Sequence, residues 1–182
     1  MVFFRDLARA GVLGNNRRIR DFILPYNNKR DYPLVDDKFL TGQLLLSKGI
    51  PHPKTRGLIA AISDTKNLHS QLKDAGDFVV KPAKGAMGNG IVIVEGVEWN
   101  ESKKKTKIIT TRQADMSYDE FIYYISMILS GVFSLAGQLD RAIFQEKLAI
   151  HPFFKDISYR GIPDIRVILF RGFPVMAMVR LP

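Results

Sequence analysis

The sequence predicts an α+β fold, an antiparallel sheet with flanking helices, and three observations carry that prediction. Residues 78–94 read as strand, glycine-rich loop and strand, with β-rich apolar runs at Phe78, Val79, Val80 and at Ile91, Val92, Ile93, Val94. Residues 164–170 and 173–181 read as two further strands joined at Arg171-Gly172, a hairpin signal. Between these, Ser117 and Glu120 form a capping box ahead of Phe121, Ile122, Ile125, Ile128 and Leu129, which fall on one face of a helix.

From the N-terminus, residues 3–12 predict a short helix ended by Gly14 and Asn15, and Pro25-Tyr26-Asn27-Asn28 marks an irregular connection. Asp36 or Asp37 then caps a helix that carries Leu40, Leu44 and Leu45 on one face and stops at Gly49, with Pro51 and Pro53 beyond. Lys38 lies in its first turn, where a cation opposes the macrodipole by roughly a few tenths of a kcal/mol, an effect a bound anion would offset. Residues 58–62 predict a strand, followed by a helix capped at Ser63 or Asp64, bearing Leu68 and Leu72 and ending at Gly76. Residues 95–100 extend or leave the second strand of the central hairpin, Lys103, Lys104, Lys105 and Lys107 make a polar turn, and residues 107–111 form another strand. The capping-box helix closes or kinks at Gly131, and from Ala142 the chain is strand again, with Gln145, Glu146 and Lys147 directly after an apolar run. In the last two strands Asp164 and Arg166 share a face with Ile168, and Arg180 shares one with Met176 and Met178. Charge on otherwise apolar faces of both strands suggests a lined cleft, while for Asp164 or Arg166 alone a sheet with one solvated side is the preferred reading.

The chemistry concentrates in the loop. Gly85, Gly88 and Gly90 let main-chain N–H groups approach a ligand that any Cβ would hold off, which suits phosphate. Alternation puts Lys81 on the face of Val79, and an ammonium on a half-buried face is costly unless an anion such as a triphosphate neutralises it. The spacing G-x-x-G-x-G leads into a strand, so neither a P-loop, G-x-x-x-x-G-K-[ST], nor a dinucleotide-binding turn that opens a helix is indicated. What is left is a flap of two antiparallel strands whose tip lies over phosphates; the plainer alternative is a glycine-rich hairpin with an exposed lysine at a strand end.

Composition narrows the field. With no cysteine, thiol catalysis and thiolate metal sites are excluded, and His52, His69 and His151 lack metal-ligand spacing. The net charge of +9 invites an anionic partner, but the clusters at Arg17, Arg18, Arg20 and at Lys103 to Lys107 have no interleaved aromatics, so nucleic acid is not expected. Val2, Phe3 and Phe4 run at once into Arg5 and Asp6, leaving no secretory core, and the expected location is cytoplasmic. The uncharged stretch 121–139 is interrupted by Ser126, Ser130, Gly131, Ser134, Gly137 and Gln138, and reads as a buried helix and loop rather than a membrane span.

In order, Asp37-Lys38 opening a helix, Gly49-Ile-Pro-x-Pro53, Phe78-Val-Val-Lys81-Pro82, the glycine loop, Gln145-Glu146-Lys147-Leu148, Asp164-Ile-Arg166 and the strand ending at Arg180 resemble the ATP-grasp superfamily. Asn16-Arg17-Arg18 and residues 32–38, Tyr-Pro-Leu-Val-Asp-Asp-Lys, look like segments of its RimK-like alpha-L-glutamate ligase homologues. The resemblance implies that residues 1–54 are an N-terminal segment with the first ATP-grasp helix, 55–147 the lid subdomain, and 148–182 the start of the C-terminal subdomain. It implies ATP as cofactor, with Lys38 and Lys81 on its phosphates, the loop of Gly85, Gly88 and Gly90 above them, and Gln145, Glu146, Lys147 and Leu148 at the adenine edge. Asp164 would stand at the ribose and phosphate side, while Arg166 and Arg180 would face the acyl phosphate or carboxylate. The implied partners are a carboxylate acceptor and an amino-acid or amine donor, joined through an acyl phosphate that needs charge neutralisation rather than a protein nucleophile.

In the family pattern the magnesium-holding carboxylates and asparagine follow the position of Arg180, and this sequence ends at Pro182. Mg2+ is therefore expected only with a further C-terminal part, and this chain is expected to bind ATP without being catalytically complete. Two other readings stand beside a glutamate-ligase-like module: a non-catalytic nucleotide or nucleic-acid binding module, and another ATP-grasp branch acting on sugar-linked or polymer-linked carboxylates. The residues alone do not separate the last from a glutamate ligase, and they leave oligomeric state open.

Overall fold

A computed structural model describes residues 4–72, 75–100, 105–111, 113–134, 137–158 and 161–181; Val2, Phe3, Lys103, Lys104 and Pro182, named above, lie outside the described residues. The chain divides into two compact units, residues 33–148 and residues 1–32 with 149–182.

The second of these units begins with α1 (Phe4–Arg9) and continues into α2 (Asn15–Arg18), a π turn (Ile19–Ile23) and α3 (Leu24–Tyr26). Residues 15–26 are thus helical where the sequence predicts an irregular connection from Pro25. Pro25 has no N–H to give back along the helix and its ring crowds the preceding turn; the wider π turn just before it, closed by Leu24 N–H to the Ile19 carbonyl, relieves that crowding.

Residues 33–148 hold the sheet. In chain order they form α4 (Pro33–Asp36), α5 (Lys38–Ser47), β1 (Thr55–Ile59), a 3-10 helix (Ile62–Asn67), α6 (Leu68–Leu72), β2 (Phe78–Pro82), β3 (Val92–Asn100), β4 (Lys105–Thr110), β5 (Met116–Ser117), α7 (Tyr118–Leu129) and β6 (Ala142–Gln145). The strand order is β1-β6-β2-β3-β4-β5, antiparallel at every pairing. The capping box forms as predicted, with Ser117 Oγ accepting from Glu120 N–H at 3.3 Å and Glu120 Oε2 accepting from Ser117 N–H at 2.7 Å. The helix it starts presses Phe121, Ile125 and Ile128 onto Phe78, Val80, Val92, Val94, Ile108 and Phe144, and α6 adds Leu68 and Leu72 to the same core. On β2, Phe78, Val80 and Pro82 are buried in this layer while Val79 and Lys81 occupy the opposite, half-buried face.

One expectation for this unit is corrected by the structure. The strand expected at residues 58–62 lies at Thr55–Ile59, because the Asp64 carboxylate accepts from the Ala60 and Ala61 N–H groups at 3.0 and 2.9 Å and turns the chain before Ile62. On α5, Leu40 and Leu44 are exposed; the buried position is Gly42, where an added Cβ would come within 2.6 Å of the His52 ring.

In the remaining unit, β7 (Asp164–Phe170) and β8 (Phe173–Arg180) form the expected hairpin, turning through Arg171 and Gly172 at φ of 49° and 87°. Phe170 packs edge-on against Phe22 and Tyr26, but every residue of both strands is exposed.

Candidate functional site

The glycine-rich loop is anchored at both ends and open at its tip. Asp37 caps α5, its Oδ1 accepting from Phe39 and Leu40 N–H at 3.0 and 3.2 Å, while Oδ2 pairs with Arg141 at 2.5 Å. Strand β2 is extended past Pro82 by Ala83, whose N–H donates to the Arg141 carbonyl and whose carbonyl accepts from Lys38 N–H, both at 2.9 Å. The Asp140 carboxylate then takes the Lys84 N–H at 3.0 and 2.9 Å. Gly85 bridges to Ser134, and a Cβ there would meet Pro82 Cγ at 2.3 Å. Gly90, at φ of +74°, lies so close on Phe133 that a Cβ would stand 2.6 Å from its ring. Between these anchors Met87 is 95 % exposed, with a left-handed φ of 57°.

Lys38 reaches the base of this loop, and Lys81, on the strand that leads into it, lies within the field of its charge. The Lys38 ammonium donates to the Gly85 carbonyl and, at 3.4 Å, to that of Ala83. Burial pushes its pKa down from the ordinary 10.5, against the pull of Asp140, Asp37 and Asp36. Lys81 is also pushed down, first by burial and then by the charge of Lys38, and no carboxylate offsets either effect. Among the described residues no salt bridge reaches Lys81. Two half-buried ammonium groups, Lys81 within the field of Lys38 and without a carboxylate partner among the described residues, make a local excess of positive charge that an anion could neutralise.

Residues 145–148 lie at the other end of β2. Gln145 is 3 % exposed, pairs with both Thr55 and Val79, and donates its amide to Pro53 O and Thr55 Oγ1 at 3.4 and 3.3 Å. Glu146 N–H donates to Lys54 O at 3.0 Å, and its carboxylate accepts from Lys54 N–H at 2.7 Å. The Lys147 side chain turns to Glu95 and Asp77, and Leu148 is exposed. Val79 thus stands between Gln145 on one side and Ile93 on the other, with Lys81 two residues along the same face.

Asp164, Arg166 and Arg180 belong to the hairpin of the other unit. The register pairs Asp164 with Arg180 and Arg166 with Met178, so all three charges project from one face, as alternation predicts. The Arg180 guanidinium grips the Asp164 carboxylate in a bidentate pair, with Nε to Oδ1 at 2.7 Å, and this contact holds the Asp164 pKa below the usual carboxylate range.

Sequence reasoning did not find Asp140, Arg141, Phe133 or Glu95. The first two had a readable signal, a charged pair placed immediately before a fully buried strand, where charge persists only with partners. Phe133 and Glu95 had none, because their partners are brought to them by the sheet.

For magnesium the described residues offer no fit. No group of three acidic or histidine side chains among them could hold a metal ion, and Asp37 and Asp140, the buried carboxylates beside Lys38, are already engaged by Arg141 and by backbone N–H groups. No helix among the described residues is long and apolar enough to cross a membrane.

Residues 17–182 match the family described as sugar-transfer associated ATP-grasp, which spans both units. No curated protein and no solved structure matches the chain.

Proposed function

We propose, because the chain belongs to the sugar-transfer associated ATP-grasp family, that residues 33–148 bind ATP for the ADP-forming joining of a carboxylate to an amine. The observation that carries this is half-buried Lys81, which has no carboxylate partner among the described residues and lies within the field of Lys38 beside the glycine-rich loop. Lys38 and Lys81 take the phosphate tail, residues 85–90 close over it, and the main chain of Gln145, Glu146, Lys147 and Leu148 takes the adenine edge. Asp164 is assigned to the ribose and phosphate side, and Arg166 and Arg180 to the acid, by resemblance. In the reaction a carboxylate oxygen attacks the γ-phosphorus and ADP leaves. The amine then attacks the acyl carbon, expelling phosphate and losing a proton. The lysines and arginines supply positive charge where negative charge spreads, and no side-chain nucleophile is required.

The family description favours an acid carried on a sugar or a sugar polymer over free glutamate, so the sugar-linked branch is preferred to the RimK-like glutamate ligase. The cytoplasm, where ATP is abundant, is the proposed location. Calorimetric titration of ATP into the Lys81→Ala protein tests the reading: binding is expected to vanish, and an unchanged isotherm would remove it.

A further inference from the structure

We propose, building on the nucleotide reading above, that Glu95 is a positioning residue: through the Lys147 ammonium it ties the strand returning from the glycine-rich loop to the segment at the adenine edge. The phosphate side and the base side of the site are thereby held in one register.

Glu95 is the extra residue of a β-bulge. Val94 pairs with Thr110 and Gly96 with Ile109, so the register of β3 on β4 slips at this residue, and such bulges re-aim a side chain. The re-aimed carboxylate accepts the Thr111 hydroxyl on Oε1 and the Lys147 ammonium on Oε2. Asp77 precedes Phe78, which pairs with Val94, so Asp77 and Glu95 are cross-strand neighbours of like charge. Lys147 lies between them, 3.8 Å from Asp77, and relieves a repulsion the sheet would otherwise carry. Lys147 in turn follows by two residues Gln145, which pairs with Val79. One cation therefore joins the start of β2, the bulge of β3 and the exit of β6. The Lys147 side chain is only 28 % exposed and has two carboxylate partners, which sets it apart from an isolated surface pair. In support, the Lys147 contact, followed by the Thr111 hydroxyl, holds the Glu95 carboxyl below its usual range.

Without this tie the loop strand and the base-side segment move independently, and a ligand touching both must order them at the expense of its own affinity. A ligand touching only the lysines is indifferent. The probes are therefore ATP and inorganic tripolyphosphate, titrated into the full chain and its Glu95→Gln variant, which keeps the size of the side chain and an acceptor for Thr111. We expect ATP to bind about tenfold more weakly to the variant while tripolyphosphate changes by less than about twofold, and the charge-reversed pair Glu95→Lys with Lys147→Glu to regain most of the loss. Equal weakening of both probes, or unchanged ATP affinity, overturns the proposal and leaves the nucleotide site standing. Wild-type protein that binds neither probe removes the nucleotide reading itself. Should Glu95→Gln fail to fold, Lys147→Met breaks the same contact from the other side and is read against the same two probes.

Discussion

At the scale of single residues, Lys81 is the informative side chain, because its discomfort is visible before any ligand is added. Its pKa is lowered by burial and by the Lys38 charge. Unfolded, it keeps its proton up to the ordinary value of 10.5, so between the lowered pKa and 10.5 the unfolded chain binds more protons than the folded one. Stability of the ligand-free protein contributed by this group therefore rises with pH across that window and is flat below it. An anion reverses the effect by favouring the charged lysine. ATP binding in the alkaline window should accordingly take up protons, read as a dependence of the calorimetric heat on buffer ionisation enthalpy, and the uptake should shrink in Lys38→Ala. No buffer dependence in the wild type would show that the two lysines do not meet the ligand. Asp37 offers a second test, since it both caps α5 and pairs with Arg141 while only 4 % exposed. Asp37→Ala should lower unfolding stability by about 3 kcal/mol, and Asp37→Asn, which keeps the cap, by less; equal losses in chemical denaturation would contradict that division.

At the scale of elements, the loop separates two uses of glycine. Gly88 and Gly90 both have positive φ, but a Cβ on Gly88 meets open space and one on Gly90 meets the Phe133 ring. Gly88→Ala should cost about 1 kcal/mol in thermal or chemical unfolding, and Gly90→Ala clearly more, because backbone strain is joined by a steric collision. A Gly90→Ala protein as stable as Gly88→Ala would mean that Phe133 yields without loss. The three glycines, the Lys81 face and the capping box were legible in the sequence because each rests on local rules: spacing, alternation and a four-residue cap. The hairpin at Arg171-Gly172 was legible for the same reason. The anchors were not. Asp140 reaches Lys84 across 56 residues and Lys147 reaches Glu95 across 52, so only the antiparallel order of β6, β2 and β3 reveals them. The start of β1 was misplaced by the same blindness, since Lys54 is held by Glu146, 92 residues away.

For the whole molecule, the division of apolar burial is more telling than the net charge. Every buried hydrophobic side chain of the core cluster, from Ile59 to Phe144, lies within residues 33–148. Among the described residues of the other unit no hydrophobic side chain is buried; Ile165, Val167, Leu169 and Val179 on one face of its hairpin are all between 48 and 66 % exposed. Its local order rests on the hairpin ladder, the Asp164–Arg180 pair and the Phe170 contacts with Phe22 and Tyr26. Stability follows burial of apolar area, so the two units should open separately. Hydrogen exchange on the full chain should find amides of β2, β3, β6 and α7 protected to the level of global unfolding while those of β7 and β8 exchange orders of magnitude faster. A fragment of residues 33–148 should, by the same argument, unfold in one cooperative transition. Because Lys38, Lys81, the loop and residues 145–148 all belong to that fragment, it should also retain tripolyphosphate binding. A fragment that folds yet loses that binding would mean that the phosphate site draws on residues outside 33–148, and a fragment that does not fold would overturn the partition of the core itself.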